Sequence, residues 1–189
     1  MVRVCLLAAA LCLVRRGVSQ EADCFPPDWL KSVSLSVKIS KAGFHRDVEY
    51  SVRWSSAGRD VRAVLVQKLP SGVYMDEYEL EALRRSSGPE VLLDARPDLE
   101  APEYLSPGFT ALVFLSGPRR VEVPVHGRYQ RPSGSGGRVT VELERPRLLL
   151  RSDQCRTLSA EARLLEVRAP CTAFKHQHLL LDRGPAPRG

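Results

Sequence analysis

The chain has 189 residues, 43% of them hydrophobic and 26% charged, with a formal charge of +6 at neutral pH. That is one domain of ordinary size, and too little chain for a protein-kinase catalytic domain. Its basic residues are scattered, without the basic stripe and aromatic platforms that nucleic-acid binding wants, so no nucleic-acid partner is expected.

The first residues, "MVRVCLLAAALCLVRRGVSQ", place one basic residue, Arg3, before an apolar run from Val4 to Val14, then small and polar residues. This is the build of a secretory signal peptide, assigned to residues 1–19, with Gly17 and Ser19 suiting cleavage near Gln20. The apolar run is too short to span a bilayer, which takes about 20 residues. Export would remove Arg3, Arg15 and Arg16 and leave a charge of about +3. It would also remove Cys5 and Cys12, leaving Cys24, Cys155 and Cys171. In an oxidising lumen three cysteines imply one disulfide and one leftover thiol, with the connectivity open. The sequence contains no asparagine, hence no N-glycosylation acceptor.

Residues 32–39, "SVSLSVKI", alternate, with Val33, Leu35, Val37 and Ile39 on one face and serines and Lys38 on the other. That predicts a half-buried strand. Residues 47–54, "DVEYSVRW", repeat the pattern with Val48, Tyr50, Val52 and Trp54 inward. A short loop containing Gly43 joins the two runs, as in an antiparallel hairpin, so "GFHRD" (43–47) falls at its tip or at the start of the second strand. Residues 61–66 and 110–115 are further strands, the latter buried on both faces. Residues 121–126 alternate with Pro124 on an outer position, which predicts an edge strand or a bulge because proline cannot donate to the ladder. Residues 138–143 alternate again, and 147–150 form a weaker strand. A single short helix is expected from Asp76, with Glu79 at capping-box spacing. Many short strands with glycine–proline punctuation predict an all-β fold, an antiparallel β-sandwich-like domain over residues 20–171 with one short helix. The tail, 172–189, has no clear period and is expected to be disordered.

The motifs that could carry chemistry do so poorly. "HRD" is the core of a kinase catalytic loop, but the asparagine due five residues after the aspartate is Val52, inside a strand, and no glycine-rich phosphate loop or Asp-Phe-Gly accompanies it. Cys171, His176 and His178 match no zinc spacing, so no metal or cofactor is expected. A secreted hydrolase could use His45 with Asp47, or His126 with Glu122, as acid–base pairs, but no G-x-S-x-G elbow supplies a nucleophile. An unrelated secreted binding module is the other alternative. What remains are stretches unusually dense in Arg and Tyr, residues favoured at protein interfaces.

Five of these stretches, "GFHRD" (43–47), "LPSGVYMDEYELEALR" (69–84), "LEAPEYLS" (99–106), "VPVHGRYQRP" (123–132) and "APC" (169–171), together resemble the phosphatidylinositol-glycan biosynthesis class X (PIG-X) family. The resemblance covers roughly residues 30–171 in order. It implies an endoplasmic-reticulum protein with a luminal domain, associated with the polytopic catalytic subunit of GPI mannosyltransferase I and stabilising it. That enzyme moves the first mannose of the GPI anchor from dolichol-phosphate-mannose onto a glucosaminyl-phosphatidylinositol. The accessory subunit implied carries no catalytic residues. Gly43, Phe44, His45, Arg46, Asp47, Tyr74, Tyr78, Tyr104, Pro124, His126, Arg128 and Tyr129 are the motif residues expected to hold the framework or touch that partner. The family continues into a C-terminal transmembrane helix. Here the sequence ends in "HLLLDRGPAPRG" without 18 consecutive apolar residues after position 20, so the expectation is a truncated or alternatively spliced form, or a wrong exon, with membrane anchoring in doubt.

Overall fold

A computed structural model describes residues 25–56, 60–134, 136–155, 164–167 and 179–183. The expected signal peptide, Cys24, Cys171, His176 and His178 lie outside the described residues. Ten strands, β1 (Ser34–Ser40), β2 (His45–Arg53), β3 (Arg62–Leu69), β4 (Val73–Tyr74), β5 (Glu90–Leu93), β6 (Phe109–Leu115), β7 (Arg119–Gly127), β8 (Arg147–Arg151), β9 (Leu164–Val167) and β10 (Leu179–Arg183), are joined by helices α1 (Pro27–Leu30) and α2 (Glu77–Arg85) and one 3-10 turn, Glu103–Leu105. The strands form two antiparallel sheets, one ordered β1-β2-β7-β4 and the other β5-β6-β3-β8-β10-β9. The expectation of an all-β sandwich with a short helix is met.

Alternation builds the core between the sheets. Val48, Tyr50 and Val52 of β2 and Val121, Val123 and Val125 of β7 point inward, meeting Ala63, Leu65, Leu93, Ala111, Val113, Leu115 and Leu150 of the facing sheet. The intervening residues of β3, β6 and β8 (Val64, Val66, Leu112 and Leu149) form a second, smaller cluster, so the continuous apolar run at 110–115 is buried on both faces, as expected. Burying each such Val or Leu contributes about 1.5–3 kcal/mol. Phe25 and Trp29 cap one end of this core, and the Trp29 indole donates to the Ser55 carbonyl at 2.9 Å.

One polar group interrupts the apolar interior. The Tyr50 hydroxyl donates to Gln67 Oε1 at 3.2 Å, and the Gln67 amide donates to the carbonyls of Lys68 and Glu144 at 2.8 Å each. Burial raises the Tyr50 phenol above its ordinary value. Unfolding would expose a tyrosine that releases its proton from about pH 10, whereas the folded chain holds that proton to higher pH. The stability from keeping Tyr50 neutral is therefore complete below about pH 10 and declines as pH rises beyond it. Thermal midpoints followed from pH 9 to pH 11.5 are expected to fall more steeply for the parent than for Tyr50→Phe; parallel curves would refute this.

Four expectations need correction. Val37 and Ile39 are exposed, because β1 is an edge strand and the far end of its apolar face is not covered. Residues 138–143 form no ladder. Their alternation nonetheless has a physical basis, since Val141 and Leu143 are half-buried while Thr140 and Glu142 face solvent. The segment packs by side chains and is fastened by Gln67 to the Glu144 carbonyl. Finally, β7 is an interior strand in unbroken register with β2, neither edge nor bulge. Pro124 is accommodated because its second neighbour, β4, pairs only with His126 and Gly127, so no ladder donor is missed. In addition, the leucine run at the start of β10 pairs with β9, and Asp182 and Arg183 pair with β8, inside a stretch that composition assigned to a disordered tail; the rest of 172–189 lies outside the described residues.

The helix α2 begins as expected. The Asp76 side chain caps it, accepting from the Tyr78 amide at 2.8 Å. It ends in a Schellman turn, with Gly88 N–H donating to the Leu83 carbonyl at 2.9 Å and Ser87 N–H to the Arg84 carbonyl at 3.3 Å. Ser87, not glycine, takes the left-handed position (φ 66°).

Candidate functional site

Register assembles the site. His45 opens β2 and lies opposite His126 of β7, which in turn lies opposite Tyr74 of β4. Three residues from three strands thus form a row on the outer face of the sheet. The two imidazoles meet edge-on at 4.7 Å between centroids, and the Tyr74 ring stacks on His126 at 4.9 Å. The Arg128 guanidinium lies over the other ring contact of the row, 4.8 Å from the Tyr74 centroid.

Glu79 enters from the first turn of α2, its Oε2 2.7 Å from His126 Nε2. Its capping-box spacing suggested a reach back to the helix start; its carboxylate instead goes across to the sheet. The expected pair His126–Glu122 does not form, and Glu122 lies beside Arg120 at 3.7 Å. Asp47, two residues along β2 and so on the face of His45, has Oδ1 3.8 Å from His45 Nε2. That is too long for a hydrogen bond. The ionic partner of Asp47 is Lys41 at 2.7 Å.

Arg128 is a buried brace. Its Nη1 donates to the carbonyls of Asp98 and Ala101 at 2.5 and 2.6 Å, and its backbone N–H to Gly72 at 2.9 Å. It therefore joins the end of β7 to the 98–101 loop and the β3–β4 turn. Burial lowers the guanidinium's proton affinity and raises that of the Tyr74 phenol, while Arg128 pulls Tyr74 the other way.

The turn that carries "GFHRD" needs a left-handed residue, and Gly43 supplies it (φ 85°). Phe44, next in line, accepts from the Gly127 amide at 2.7 Å and sets its ring 5.3 Å from Tyr129. Both rings are exposed, at 58% and 75%. Phe44 lines a groove of about 650 Å³ together with Ile39, Arg46, Arg128, Val139 and Val141, among others. A second groove continues along β1 past Val37 and Ile39 to Leu143.

Ten of the twelve motif residues thus gather at one end of the β1-β2-β7-β4 sheet. Tyr104 sits beside them in the 3-10 turn, its ring under the Arg131 guanidinium at 4.8 Å. Tyr78 does not join; it is 74% exposed on α2. Sequence reasoning missed Glu79 as a site residue, Lys41 as the partner of Asp47, and the exposed apolar side chains of Ile39 and Val139. Cys155 is half-buried against the core and is a bonded cysteine; its possible partners lie outside the described residues.

A family model described as PIG-X / PBN1 matches residues 41–181, a span that begins just before the "GFHRD" turn and takes in all twelve motif residues. The chain belongs to the PIG-X / PBN1 family. Within that family it is 31% identical over 174 residues to the human "GPI alpha-1,4-mannosyltransferase I, stabilizing subunit", an alignment covering 87% of this chain and 65% of the human protein. The rat protein of the same description is 30% identical over 181 residues, covering 88% of this chain and 72% of its own. The mouse protein is 31% identical over 157 residues, covering 78% and 61%. The chain therefore spans roughly two thirds of the length of these PIG-X relatives. Among the described residues no helix is long and apolar enough to cross a membrane.

Proposed function

We propose that the chain is a non-catalytic accessory domain that binds the catalytic subunit of GPI mannosyltransferase I from the lumen of the endoplasmic reticulum and stabilises it. The observation that carries this reading is how the motif residues are spent. Arg128, His126, Glu79 and Asp47 are engaged with one another, with backbone carbonyls or with Lys41, which suits a framework. The exposed apolar side chains of Ile39, Phe44 and Val139 line one groove, and the exposed Tyr129 ring stands against Phe44; such clustering suits protein docking. The family membership and the described role of the relatives as stabilizing subunits support the same reading. A protein that binds only the assembled state of its partner stabilises that state by mass action. Export through a signal peptide and a bonded Cys155 in an oxidising lumen belong to this reading.

The test is capture from microsomal membranes. The chain, expressed in cells lacking the stabilising subunit, is expected to co-purify with the mannosyltransferase catalytic subunit and to restore GPI-linked proteins at the surface. Ile39→Asp with Phe44→Asp is expected to reduce capture about tenfold or more without unfolding the domain. A chain in which His45 and His126 are both glutamine is expected to restore surface GPI-linked proteins, which removes the hydrolase alternative. Failure of the parent to capture the subunit would leave a secreted binding module.

A further inference from the structure

We propose that His45, Glu79 and His126 form a zinc site that pins the first turn of α2 to the end of the β1-β2-β7-β4 sheet. Each residue offers one ligand atom, and these atoms all lie within 4.8 Å of one another. With zinc bonds of about 2.0–2.2 Å, the atoms of a tetrahedral set stand roughly 3.3–3.5 Å apart. His126 Nε2 and Glu79 Oε2, now 2.7 Å apart, need only separate slightly to admit an ion between them. His45 needs to swing inward by about an ångström, and its side chain, 45% exposed, has room to do so.

The surroundings fit the chemistry. Stacking on Tyr74 holds the His126 ring in place, making it the fixed ligand. Asp47 stands 3.8 Å from His45 Nε2, beyond hydrogen-bonding distance, and is paired with Lys41, so it does not hold the imidazole away from the ion. Two imidazoles and one carboxylate select zinc over calcium or magnesium, which take oxygen sets. The three ligands come from β2, α2 and β7, so no zinc spacing exists in the sequence to be read. The ion would replace a single imidazole–carboxylate contact between α2 and β7 with a three-point clasp of α2 onto the paired strands β2 and β7, a structural role that requires no turnover.

The full chain, exported from a secretory host and stripped with chelator, is titrated with cobalt(II) and then zinc while circular dichroism follows the fold. The expected result is one ion per chain, visible absorption of a four-coordinate cobalt centre, and its loss when zinc displaces the cobalt. Zinc at a hundredfold excess over its Kd is expected to raise the thermal midpoint by about 5–10 °C; calcium and magnesium are expected to leave it unchanged. His45→Gln and Glu79→Gln each remove a ligand without opening the core. Each is expected to weaken uptake by more than the ~10–100-fold that loss of an outer-shell partner costs. Failure of the parent to develop the cobalt spectrum would overturn the site and leave a plain imidazole–carboxylate contact. Uptake undiminished in both variants would overturn it too, by placing the ion elsewhere in the chain.

Discussion

Arg128→Ala is expected to destabilise the domain by about 3 kcal/mol, lowering the thermal midpoint by roughly 6–12 °C. The guanidinium is buried, and two carbonyls, those of Asp98 and Ala101, accept from it. Hydrogen bonds to a charged group are worth about 1.5–3 kcal/mol each, and truncation leaves both acceptors short of a donor. The ring of Tyr74 loses its cation at the same time. Part of the gain is already offset in the parent, because the buried Nε of Arg128 has no partner among the described residues. Arg128→Lys is expected to recover less than half of the loss, since an ammonium point charge cannot reproduce a planar fork stacked on an aromatic face. Amide exchange should accelerate first at residues 98–101, the loop that the guanidinium fastens. A midpoint within 1 °C of the parent for the alanine variant would show that the brace is idle.

Gln67→Leu is the second large effect, expected to cost about 2–4 kcal/mol. The substitution keeps the volume and apolar character of its surroundings, so a model of the interior as oil predicts little change. The opposite is expected here, because the Tyr50 hydroxyl loses its partner in a place water does not reach, and the part-buried contact to the Glu144 carbonyl is lost with it. Adding Tyr50→Phe removes one of the stranded groups, so the double variant should be more stable than Gln67→Leu alone. The coupling in the cycle should be about 1 kcal/mol or more. Denaturant midpoints at unchanged slope read this directly. Additive single effects would mean that the pair does not interact in solution.

Gln67 marks where sequence reasoning stopped short. The strand expected over 61–66 stops before it, yet β3 runs on to Leu69 with Gln67 inside. Patterning identifies which residues share a face; it does not say whether anything lies over that face. For β2 and β7, neighbours on both sides and a facing sheet make the two agree. For β1, at the edge, Val37 and Ile39 share a face with Leu35 but look outward past the end of the cover. For 138–143 the alternation matches half-burial at Val141 and Leu143 but not at the exposed Val139, while strand formation also needs a neighbour with free ladder groups. The row His45–His126–Tyr74 is invisible to local pattern because register creates it across three strands. The resemblance to PIG-X supplied its members as separate motifs, and only the topology brings them to one corner. Glu79 was hidden by an ambiguity of spacing: three residues after a capping Asp76, a glutamate can turn back to the helix start or reach outward, and the nearby imidazole decides.

The lifetime of the mannosyltransferase catalytic subunit is the most direct measure of the proposed role. In cells lacking the stabilising subunit, a synthesis-block chase is run with and without the chain, exported to the lumen at matched expression. Stabilisation by binding predicts a several-fold longer half-life of the catalytic subunit when the chain is present, lost with Ile39→Asp and Phe44→Asp. An unchanged half-life alongside restored surface GPI-linked proteins would contradict it, because the chain would then be acting by some means other than holding its partner together.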